Sequence, residues 1–143
     1  MTEPHPLVGA WRVAVQVPGT PAGTNLATFA ADGTVAVAFP TPNPVAPGQT
    51  HKLEYWSTAL GSWSASGERG AAMTFVSLGA DEAGTPIGTH TIAATVEVAA
   101  DSASWEGPFT IEIAAADGTV LASVGGTVSA TRIAAGAAAK QTG

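Results

Sequence analysis

Apolar and polar residues alternate with a period of two along most of the chain, the signature of strands with one face buried. The first strand runs from about Gly9 to Val17, with Trp11, Val13, Val15 and Val17 on one face and Arg12 and Gln16 on the other. Pro18 and Gly19 end it. A second strand covers about Asn25 to Ala31, and Asp32-Gly33 supplies a tight hairpin, since glycine accepts the positive φ of such turns. The third spans about Thr34 to Phe39. Pro40 to Thr50 holds four prolines and is excluded from central sheet. It is read as the longest irregular segment, leading into His51-Lys52-Leu53-Glu54-Tyr55-Trp56 at a rim. Further strands are expected at about Leu60 to Ala65, Ala71 to Leu78, Ile87 to Val98 and Ser104 to Ala115. The eighth, Val120 to Ile133, follows a second tight turn at Asp117-Gly118.

Eight strands joined mostly by short hairpins place sequence neighbours side by side. Closing such a meander removes its two exposed edges. The predicted fold is therefore all-β, an eight-stranded antiparallel up-and-down barrel with little helix. Residues 9–133 form the barrel, residues 1–8 an N-terminal extension, and residues 134–143 a flexible tail rich in alanine. Gly125-Gly126 reads as a kink within the curved last strand.

Gly9-Ala10-Trp11 opens the first strand and Thr131-Arg132-Ile133 closes the last. This pairing resembles the lipocalin-like (calycin) signature, in which a Gly-x-Trp tryptophan lies under an arginine from the final strand. The resemblance implies that the Trp11 indole plugs one end of the barrel and that the Arg132 guanidinium stacks on it and bonds to nearby carbonyls. It covers the whole strand plan, without cysteines and without room for a long helix after the barrel. Avidins also begin with Gly-x-Trp. The short polar side chains that cradle biotin are not identifiable in this chain.

Composition narrows the chemistry. Eleven acidic residues against five Lys plus Arg give a formal charge of −6, which offers no electrostatic footprint for nucleic acid or an anionic membrane. The chain has no cysteine, so it has neither a thiolate nucleophile nor a Cys-ligated metal. Three scattered histidines give no metal-ligand spacing. There is no phosphate-cradling glycine loop or nucleophile elbow, and no cofactor is expected. The N-terminus lacks the features of a signal peptide, and no apolar run approaches the ~18–20 residues of a membrane helix. A cytoplasmic protein is expected, with a homodimer as a further possibility.

Alanine is common at alternating positions such as Ala94, Ala122 and Ala130. A barrel of eight strands so lined is under-filled by its own side chains, which favours a pocket for a small hydrophobic molecule. Phe29, Phe39, Met73, Phe75 and Phe109 are candidate walls. Trp63, flanked on its face by Gly61 and Ala65, is either core or wall. Tyr55 and Trp56 would lid the open mouth. His51 and Glu54, three apart, are either a general base and its orienter or merely solvated.

His90 is the only histidine inside an expected strand and alternates with Ile92, Ala94, Val96 and Val98. It is either a satisfied core residue or a cavity group able to exchange a proton near neutral pH. Two functions follow. One is binding of an apolar or aromatic molecule within the barrel. The other is a cofactor-independent cyclase, isomerase or lyase, with His90, Tyr55 or Glu54 as proton donor or acceptor. A purely structural module with a filled core is the third alternative.

Overall fold

The computed structural model describes residues 4–20, 22–41, 43–44 and 50–135. Within them the chain forms ten strands: β1 (Gly9–Gln16), β2 (Gly23–Phe29), β3 (Thr34–Ala38), β4 (Asn43–Pro44), β5 (Leu53–Trp56), β6 (Ala59–Ser66), β7 (Gly70–Asp81), β8 (Pro86–Val98), β9 (Ser104–Ala115) and β10 (Val120–Arg132). Eight of these, β1, β2, β3, β6, β7, β8, β9 and β10, pair antiparallel in sequence order. The β1–β10 and β7–β8 ladders close them into an up-and-down barrel. No helix occurs among the described residues. The alanine-rich tail beyond residue 135 lies outside the described residues, as does most of the proline-rich stretch. The part of that stretch that is described contributes the short β4, at the edge of the sheet where proline is tolerated.

Alternation sets the walls. On β7, Ala71, Met73, Phe75 and Ser77 are buried, and Ala72, Thr74, Val76 and Leu78 are exposed between them. The hairpin turns carry their own bonds: Asp32 Oδ1 accepts from the Thr34 N–H at 2.9 Å, and Asp117 Oδ1 accepts from the Thr119 N–H at 2.9 Å. These side-chain bonds replace backbone pairing where each strand reverses.

One region departs from the expected pattern. His51 to Trp56 was expected as a rim loop, yet Leu53–Trp56 is a strand, β5, paired with the upper part of β7 through Glu54↔Asp81, Tyr55↔Ala80 and Trp56↔Gly79. The adjoining β6 pairs with the lower part of the same strand. The two are one strand interrupted at Ser57-Thr58, and β7 is long enough to template both pieces. In the last strand, register runs unbroken through Gly125↔Thr110 and Gly126↔Phe109, and a register irregularity lies at Val120/Ala122.

One end of the barrel is sealed. Trp11 is fully buried, its Nε1 donates to the Leu7 carbonyl at 2.9 Å, and the Arg132 guanidinium carbon lies 4.2 Å from its ring centroid. Arg132 Nε donates to Ser102 O at 2.8 Å and Nη1 to Val8 O at 3.0 Å, and Nη2 reaches Pro6 O. The stack and carbonyl bonds implied by the resemblance are both present. Gly9 has φ +131°, and a Cβ there would stand 2.7 Å from Arg132 Nη1. That close approach explains why a glycine precedes the tryptophan by two positions. Phe29 and Trp105 pack edge to face at 6.1 Å, completing the floor.

Candidate functional site

Above that floor the barrel encloses a cavity of about 390 Å³, towards the small end of ligand-binding cavities. Its deeper walls are apolar, with Val13, Ala27, Met73, Ala94 and Phe109 among the lining residues. Alanines from β2 and β8 leave the volume that leucines would fill. Phe29, Phe39 and Phe75, the other candidate wall residues, also line it.

Trp63 does not. Its Nε1 donates to the Ala30 carbonyl at 2.9 Å, and its ring packs against Phe29 and His5. Of the two alternatives open for this residue, the structure places it outside the cavity, in the packing of the closed end.

The polar groups gather at the opposite, open end. Because β5 is a strand, its side chains alternate: Glu54 and Trp56 line the cavity, and Tyr55 between them is 39% exposed and absent from the lining. The expected Tyr55-Trp56 lid is thus split across the sheet, and Tyr55 is not brought to the site. Trp56 lies across β7, where Gly79 leaves room for it, and stacks on His90 with ring centroids 3.6 Å apart and planes at 18°. Its Nε1 donates to Glu54 Oε1 at 3.0 Å. The other oxygen, Oε2, is 3.1 Å from His51 Nε2. The run His51–Glu54–Trp56–His90 is therefore continuous.

His90 on β8 lines the cavity, paired across the ladder with Ser77. Burial holds its imidazole below the ordinary value of 6.5, against a smaller upward pull from the Glu54 carboxylate. Near neutral pH the ring is uncharged, with one nitrogen an acceptor and the other a donor. Among the described residues no hydrogen bond ties either nitrogen.

Polar lining residues that were not singled out from the sequence include Ser77 and Asn25. Ser77, only 1% exposed, donates from Oγ to the Ser57 carbonyl at 2.6 Å. Asn25 stands on β2 in phase with Ala27 and Phe29. Both signals were present as in-phase positions on apolar faces. Three or more metal-ligating side chains do not cluster anywhere among the described residues, and no helix there is long and apolar enough to cross a membrane.

Chemically, the site offers an apolar chamber whose described polar lining includes the Glu54 carboxylate, the neutral His90 imidazole, the Ser77 and Thr24 hydroxyls and the Asn25 amide. Comparison with known proteins adds no identity to this geometry: no family model matches the chain, and neither a curated protein nor a solved structure gives a match.

Proposed function

We propose that the protein binds a small, largely apolar molecule inside the barrel. The observation that carries this is the cavity of about 390 Å³, sealed at one end by Trp11 and Arg132 and left open by the barrel's own alanines. A barrel that served only as a structural module would gain stability by filling that space, because unfilled apolar volume costs contacts.

The neutral, environment-sensitive dye prodan tests this. The wild-type protein is expected to enhance its fluorescence saturably, and Ala94→Phe, which places a ring in the cavity, is expected to abolish the enhancement while the protein stays folded by circular dichroism. Absence of enhancement in the wild type, or its survival in Ala94→Phe, would refute the assignment.

An enzymatic role rests on a different observation, a cavity-lining His90 whose ring nitrogens carry no hydrogen bond among the described residues. A neutral imidazole there can accept a proton from a bound molecule, and the apolar walls would hold a flexible substrate in one conformation. Native mass spectrometry followed by denaturing extraction would identify a co-purifying molecule. With that molecule, His90→Ala separates the two roles: retained affinity with lost turnover marks an enzyme, and lost affinity marks His90 as a binding group.

A further inference from the structure

The open end of the barrel is electrostatically one-sided. The β5, β7–β8 and β9–β10 segments bring Glu54, Asp81, Glu82 and Asp117 to it, against Lys52 as the one lysine or arginine among the described residues there. Three of these carboxylates are locked by backbone N–H groups. Asp81 Oδ1 accepts from Ala83 and Thr85, Glu82 accepts from Lys52 and Leu53, and Asp117 accepts from Thr119. Bonds of this kind hold Glu82 and Asp117 below the ordinary carboxylate range, so both stay ionised at neutral pH. Among the described residues Glu54 is the only acidic one in the cavity lining, and no described lysine or arginine lines it. His90 adds no positive charge, since burial keeps it neutral.

Glu54 also has acceptor capacity to spare. A carboxylate offers about four lone-pair sites, and two of them are engaged, by Trp56 Nε1 and His51 Nε2. The remainder sit where polar mouth meets apolar chamber. An ammonium group fits there, with three donors and a charge opposite to that of the rim. A carboxylate head would meet Glu54 with no lysine or arginine among the described lining residues to offset the repulsion.

We propose that the cavity takes an amine-bearing apolar molecule, its ammonium group at Glu54 and its hydrocarbon body against the Phe and Ala walls, and that it rejects the matching carboxylate. This rests on the cavity-binding function proposed above and assigns its ligand class.

The test is displacement of bound prodan by octylamine, octanol and octanoate near neutral pH, at low and high salt. Octylamine is expected to bind about tenfold or more tighter than octanoate, as expected for a hydrogen bond to a charged group. Octanol should fall between them, and high salt should narrow the gap. In Glu54→Gln, which keeps an oxygen acceptor for Trp56, the amine-to-carboxylate ratio should shrink severalfold.

Octanoate binding as tightly as octylamine, or an undiminished ratio in Glu54→Gln, would overturn the amine assignment. Octylamine failing to displace prodan would overturn it too, leaving the cavity function standing. Failure of prodan itself to bind would remove both.

Discussion

A methyl group added at Gly79 would lie 2.7–2.9 Å from three carbons of the Trp56 ring, closer than side-chain carbons pack. Trp56 is held on its other contacts by Glu54 and His90, so Gly79→Ala must push the indole off the imidazole. Over-packing of this kind costs about 1–3 kcal/mol. The expected result is a lower denaturation midpoint at unchanged m-value, together with weaker prodan binding. A variant as stable as wild type would show that the stack is not fixed by this contact.

His90 carries a second prediction at the same scale. Its folded-state value lies below that of the unfolded chain, so the unfolded state takes up the proton first, and folding is disfavoured as pH falls below about 6.5. The stability of the wild type relative to His90→Gln should therefore drop between pH 8 and pH 5. Parallel curves for the two proteins would contradict it. Alternation along β8 puts this histidine in phase with Ile92, Ala94 and Val96, on the strand's apolar face. Ser77 is equally in phase, with Met73 and Phe75, on a strand whose only other hydroxyl side chain is Thr74. In-phase position marks a polar residue as inward-facing but does not tell how deeply it is buried.

The division between β5 and β6 is the informative element. Ser57 donates from its N–H to Leu78 O at 2.9 Å, its Oγ accepts from the Leu78 N–H at 2.9 Å, and its carbonyl takes the Ser77 hydroxyl. Serine side chains thus carry the ladder across the interruption. Ser77→Ala would leave the Ser57 carbonyl short of its buried donor, at a cost of about 1–3 kcal/mol. Faster amide exchange confined to residues 53–56 is expected, because β5 hangs on that junction. Unchanged exchange there would place the anchoring elsewhere. The polar pair Ser57-Thr58 made the chain read as a loop up to Leu60. What the sequence could not convey is that β7 continues far enough to pair with three more residues, Glu54 to Trp56, since strand extension is decided by the partner rather than by local propensity.

At the scale of the molecule, closure and the sealed end were legible. Hairpin turns at Asp32 and Asp117, period-two faces and the pairing of Trp11 with Arg132 all pointed to one architecture, and agreement across levels is what specifies a fold. Of the alanines read as a deficit of side-chain volume, Ala94 lines the cavity, whereas Ala122 is exposed and Ala130 is buried outside the lining. The cavity's polarity was not legible, because the charges at the open end come from segments far apart in sequence that only the closed barrel assembles.

The seam between β1 and β10 joins the two extremes of the barrel's chain, whereas most other ladders join neighbours across a short turn. Loop-closure entropy makes such a pairing the slowest to form. A folding chain therefore passes through an open sheet whose two edges are β1 and β10, each able to recruit a strand from another chain. Arg132 belongs to one edge and Trp11 to the other, so their stack can form only when the seam shuts. The plug that seals the floor is also the latch on that last, aggregation-exposed step.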